Sequence, residues 1–139
     1  MLMRFVIPGA AVPQGRPRFT RTGHAYTPQK SRDYRARVQS AVRAAMAANA
    51  WTLQADTALA LVVEEHRAIP ASWSRRKQEQ ARRGELQPTS RPDLDNIIKA
   101  IKDALNGLVW RDDAQVTTIK ACKFYSDTPC VVVRVNTMD

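Results

Sequence analysis

The sequence holds only two cysteines, Cys122 and Cys130, and two histidines, His24 and His66. A disulfide scaffold or a four-ligand zinc site needs more such residues at tight spacing, so both are excluded. The expectation is that both cysteines are reduced packing residues of a cytosolic protein. Long apolar runs are also missing. The longest, Ala58 to Val63, is strand-sized, far short of the roughly 18–20 residues of a membrane span. Met1-Leu-Met-Arg-Phe-Val-Ile-Pro8 lacks the apolar core and small-residue cleavage site of a signal peptide. A cytoplasmic protein with no membrane partner is expected. Acid is scarce at the start: residues 1–48 hold nine basic residues and one acid, Asp33.

What is present fits one domain spanning residues 1–139. A chain of 139 residues with 44% hydrophobic content is too short for two full cores and too apolar for disorder. The formal net charge is +9, from sixteen Arg and six Lys against thirteen acids. Residues 73–91 carry six basic residues and two acids, while five Asp gather between Asp93 and Asp113. A positive body with one acidic spot suits a nucleic-acid-binding protein that also holds a cation.

Alternation and spacing give a coarse order of elements. Met3–Ile7 reads as a strand and residues 8–28, with four Pro and three Gly, as loop. Thr27-Pro28 opens a helix from Gln29 to about Asn49, with Tyr34, Val38, Ala41, Val42, Ala45 and Met46 on one face. Residues 57–65 form a strand, and Ser72 caps a short basic helix, Trp73 to about Arg83, closed by Gly84. Asp95 caps a helix to Asn106 that buries Ile97, Ile98, Ile101, Leu105 and Leu108, with Gly107 as its stop. Val116–Phe124 and Cys130–Asn136 are two strands, joined as a hairpin by Ser126-Asp-Thr-Pro129. The fold class expected is α+β: a mixed sheet with an antiparallel C-terminal hairpin packed against helices.

The chemistry concentrates in Arg91-Pro-Asp-Leu-Asp-Asn-Ile-Ile-Lys99 and Trp110-Arg-Asp-Asp-Ala-Gln-Val116. Pro92 disfavours helix at Arg91, so the chain enters Asp93 extended. In an extended stretch Asp93 and Asp95 point to the same side, their Cα atoms about 6.5–7 Å apart. Two carboxylates so placed suit a small hard cation such as Mg²⁺, which takes oxygen ligands and keeps water. Lys99 lies one turn beyond Asp95 on the same face, where its ammonium steadies the carboxylates, orients water or meets a phosphate oxygen. Alternatively it is an exposed lysine paired with Asp95 or Asp103. Asp112-Asp113 arrive after the helix, and a connection returning along its length would let Asp113 meet Asp93 and Asp95. Plain cap and turn roles for these acids stand beside the metal reading.

Pro92-Asp-Leu-Asp-Asn96 with Lys99, Asp103-Ala-Leu105 and Asp112-Asp-Ala-Gln-Val116 together resemble the RusA family of Holliday junction resolvases. Gly15-Arg-Pro-Arg-Phe19 and Ala25-Tyr-Thr-Pro28 resemble its phage and prophage members. The resemblance implies a homodimeric, Mg²⁺-dependent endodeoxyribonuclease that cuts four-way DNA junctions, with Mn²⁺ able to substitute and no organic cofactor. It implies that Asp93, Asp95 and Asp113 are the metal-binding acids, Lys99 the catalytic lysine and Asp112 a secondary acid.

Junction DNA is expected to meet the Arg-rich loop, through Arg16, Arg18 and Arg21, and the basic insert, through Arg75, Arg76, Lys77, Arg82 and Arg83. Trp73 and Trp110 are candidates for stacking on bases, core packing being the alternative. Leu59, Leu61 and Val131–Val135 are candidates for the dimer surface, though core strands have the same composition. The rival functions are a non-catalytic branched-DNA-binding protein and a metal nuclease acting on flaps or single strands.

Overall fold

The structure, a computed structural model, describes residues 1–15 and 18–138. Its main sheet has four strands: β1 (Leu2–Pro8), β4 (Leu59–Ala68), β5 (Val116–Ser126) and β6 (Cys130–Thr137). The spatial order is β1-β6-β4-β5, with β6 antiparallel to both neighbours and β4 parallel to β5. The α+β class and mixed sheet therefore hold. The hairpin does not: β5 and β6 are consecutive and antiparallel, yet β4 lies between them. Residues 127–129 cross the end of β4 instead of turning a two-strand ribbon, because both flanking strands satisfy their backbone groups on β4.

Period-two alternation sends one face of the sheet inward. On β1 these are Met3, Phe5 and Ile7, in register with Val135, Val133 and Val131 of β6. On β4 they are Leu61, Val63 and, unexpectedly, Glu65. Against this face pack α1 (Gln29–Ala48), through Tyr34, Val38 and Val42, and α3 (Leu94–Leu105), through Ile97, Ile101, Ala104 and Leu105. Each large aliphatic side chain so buried contributes about 1.5–3 kcal/mol relative to exposure. Leu59, Leu61, Val131, Val133 and Val135 are all fully buried in this core. They form no dimer surface.

Several boundaries move for local reasons. Pro28 itself is the residue before α1, and its carbonyl accepts from the Ser31 and Arg32 amides. The short helix α2 (Arg75–Arg82) is capped by Ser74, whose Oγ accepts from the Lys77 amide at 3.2 Å, and not by Ser72. Within the stretch read as loop, β2 (Arg18–Phe19) pairs with β3 (Ala25–Tyr26) around a turn at Gly23, whose φ of 85° suits glycine.

Candidate active site

Helix α3 places the first acids. Asp93, not Asp95, is the residue before the helix, with φ −73° and ψ 152°. Its carbonyl accepts from the Ile97 amide at 3.1 Å, but its carboxylate caps nothing. Asp95 lies inside the first turn and Lys99 one turn further. Ile97, Ala100, Ile101 and Ala104 bury the opposite face and fix the helix rotation. Asp93, Asp95 and Lys99 are thereby left exposed. None of the three side chains has a hydrogen bond or ion pair among the described residues. Lys99 is paired with neither Asp95 nor Asp103. Leu94 and Asp95 are helical, not extended as the sequence suggested, so two free carboxylates and a free ammonium lie exposed along the first two turns of α3, near the positive end of its dipole.

Asp113 is held elsewhere. After Gly107, which takes φ 79°, Trp110 bridges Asn106 at the C-terminal end of α3. Its indole is fully buried, so it packs in the core and cannot stack on a base. Its Nε1 donates to Oδ1 of Asp113 at 2.9 Å, leaving the other carboxylate oxygen available. Asp112 opens the 3-10 turn Asp113–Gln115: its Oδ1 accepts from the Ala114 amide, while Gln115 Oε1 accepts from the Asp112 amide. Asp112 is thus a capping residue.

The three acids do not converge within one chain. Among the described residues no three His, Cys, Asp or Glu side chains lie close enough to hold one metal ion. The return along α3 is made by β5, which begins only after Asp113. Leu94 at the start of α3 lines a cleft with Ala121, Cys122, Lys123 and Phe124 of β5. Lys123, rather than Asp113, therefore reaches the loop that leads into α3, its Nζ donating to the Ser90 carbonyl at 2.9 Å. Asp113 stays near the other end of a helix about 18 Å long.

The expected DNA contacts are exposed but differently engaged. Arg16 lies outside the described residues. Arg18 is on β2 and Arg21 in the following turn, and neither has an ion-pair partner among the described residues. On α2, Arg75 and Arg76 are free in the same sense. Lys77 Nζ sits 4.1 Å over the Trp73 ring. Arg82 holds Asp127 with Nε at 2.9 Å, and Asp127 raises its pKa by hydrogen bonding. Arg83 pairs with Glu85 at 3.4 Å. Both cysteines are free, and desolvation pushes the Cys130 thiol pKa up.

Sequence reasoning missed Glu65, Arg67 and Ser90. Glu65 Oε2 accepts from Arg67 Nε at 3.0 Å, and Arg67 Nη1 donates to Ser90 O at 2.8 Å. Strand parity was the available signal: Glu65 shares the face of Leu61 and Val63, so it points inward.

Residues 8–136 match the family model described as Endodeoxyribonuclease RusA. The chain is 38% identical over 138 residues to a protein of Bacillus subtilis (strain 168) named "Uncharacterized protein YqaN", covering 96% of this chain and 94% of that one. No helix among the described residues is long and apolar enough to cross a membrane. With the family match spanning nearly the whole chain, the protein belongs to the RusA family of endodeoxyribonucleases.

Proposed function

We propose that this protein is a cytoplasmic, homodimeric, Mg²⁺-dependent nuclease that resolves four-way DNA junctions by paired symmetric nicks. The observation that carries the reading is the exposed, unpartnered set Asp93, Asp95 and Lys99 at the start of α3, in a chain of this family. Nucleases of this family are generally divalent-metal dependent. The donor chemistry fits Mg²⁺, which typically takes one or two carboxylates and fills its other positions with water and phosphate oxygens. Asp93 and Asp95 would hold it. When bound, the ion acidifies a water and offsets charge on the phosphate transition state.

The chain's own residues do the rest. The carboxylates orient on a rigid helix end. Lys99 gives its ammonium to a phosphate oxygen on the same face. Trp110 fixes one oxygen of Asp113 and leaves the other without a partner among the described residues. Asp113 shares the ion with Asp93 and Asp95 only if a second copy brings its own Asp113 end to them. A two-fold dimer also supplies two sites for a roughly two-fold junction.

The test is a gel cleavage assay comparing a synthetic four-way junction with linear duplex, in Mg²⁺ and in chelator. Paired symmetric nicks on the junction alone, lost with chelator, are expected. Tight binding without cutting would instead support a branched-DNA-binding protein. Equal cutting of flaps or single strands would support a nuclease of other preference.

A further inference from the structure

We propose that Arg67, locked by buried Glu65, is a positioning residue that sets the Asp93–Asp95 carboxylates, an inference that rests on the metal-nuclease reading above. A guanidinium has five N–H donors. All five are used inside the protein. Nε donates to Glu65 Oε2 at 3.0 Å, and Nη2 to Glu65 Oε1 at 2.5 Å. Nη1 donates to Ser90 O at 2.8 Å and Ser90 Oγ at 3.0 Å, and Nη2 to Pro92 O at 3.3 Å. No donor remains for a DNA phosphate. Arg67 is therefore a brace and not a DNA contact.

The brace acts where the backbone cannot. From Leu86 to Pro92 the chain makes no backbone–backbone hydrogen bond among the described residues. The segment is held by side chains: Arg67 on Ser90 and Pro92, and Lys123 Nζ on the Ser90 carbonyl at 2.9 Å. The Pro92 carbonyl belongs to the peptide unit that leads into Asp93. Gripping it sets the direction in which Asp93 leaves the loop. Glu65 is 2% exposed and cannot swing away, so the bidentate pair fixes the guanidinium plane.

The test compares wild type with Arg67→Lys, which keeps the charge facing Glu65 but loses the planar fork. A second variant, Ser90→Ala/Lys123→Met, loosens the loop and leaves the buried pair intact, in case Arg67→Lys does not fold. Melting temperature, junction affinity in chelator, single-turnover cleavage across Mg²⁺ concentrations and Mn²⁺ binding followed by electron paramagnetic resonance are measured.

In folded variants, junction affinity is expected to stay near wild type. The maximal rate falls about 10–100-fold for Arg67→Lys. The Mg²⁺ concentration for half-maximal rate rises, Mn²⁺ binds more weakly, and excess Mg²⁺ recovers part of the rate. The double variant shifts in the same direction by less. A residue that only stabilises the fold would move the melting temperature and leave the metal half-point alone. If wild type cuts and a folded variant keeps both its rate and its metal half-point, the brace is overturned and the nuclease reading stands. If wild type neither cuts nor binds Mn²⁺, the nuclease reading falls, and the brace with it.

Discussion

The indole Nε1 of Trp110 donates to Oδ1 of Asp113 at 2.9 Å, so a core side chain holds one oxygen of a half-buried acid. Two residues, Arg111 and Asp112, separate the two in sequence, and the 3-10 turn begun by Asp112 closes the distance. Trp110→Phe keeps an aromatic in the core but removes the donor. It is expected to cost about 1–3 kcal/mol of stability and to slow cleavage. Asp113→Asn keeps an acceptor for the indole, so its stability stays within about 0.5 kcal/mol of wild type while cleavage is lost. Thermal melts read beside junction cleavage separate the two effects.

Asp95→Asn is expected to preserve fold and junction binding and to lower cleavage by about 10²–10³-fold. Mixing it with Asp113→Asn then tests how the acids are shared. If each ion is held by Asp93 and Asp95 of one copy and Asp113 of the other, a mixed dimer retains one intact site. Nicking of one strand returns on mixing, without paired resolution. If all three acids act within one chain, the mixture stays inactive.

The Tyr34 hydroxyl is buried without a hydrogen-bond partner among the described residues. Desolvation pushes its pKa up to about 12, opposed by the Arg37 guanidinium and reinforced by Glu65. The unfolded phenol titrates near 10, so at higher pH the unfolded chain loses its proton first. The contribution is fully present below about pH 10 and is lost as pH rises to about 12, amounting to about 3 kcal/mol at most. Tyr34→Phe removes this loss and is expected to equal or exceed wild-type stability at neutral pH by up to about 1 kcal/mol. Urea melts of both proteins between pH 8 and pH 12, a range of about four units around the phenol value, show whether the curves diverge.

The free and engaged arginines should behave differently toward DNA. Arg75→Ala/Arg76→Ala is expected to flatten the dependence of log affinity on log salt by about 0.9 for each phosphate that is no longer neutralised. Arg82→Ala breaks the ion pair with Asp127 and leaves that slope nearly unchanged. Equal slopes for all three proteins would remove α2 from the DNA interface.

Legibility followed distance along the chain. The inward face of α1, the rotation of α3 and the alternation of β1 were readable because they depend on neighbours within a few residues. So was the one-turn spacing of Asp95 and Lys99 on α3. The helix start falls at Asp93 instead of Asp95, a shift of two residues that no side-chain cap marks. The insertion of β4 between β5 and β6 was not readable, because both pairings join strands tens of residues apart. The two-residue strands β2 and β3 lack any buried face to leave a pattern. The separation of Asp113 from the first acids, and the grip of Arg67 on Ser90, likewise depend on where distant strands end.

The sheet order also sets a timetable for the newborn chain. Strand β6 is the last element in sequence, yet it is an inner strand, and β1 has no other partner in the sheet. A ribosome adds about 5–20 residues per second, so β1 waits many seconds for Cys130–Thr137 to emerge. Until then β4 lacks one neighbour, and α1 and α3 have only part of a floor to settle on. A nascent chain carrying every candidate acid is thus still without its scaffold, and the sheet is complete only once the eight residues of β6 are in place.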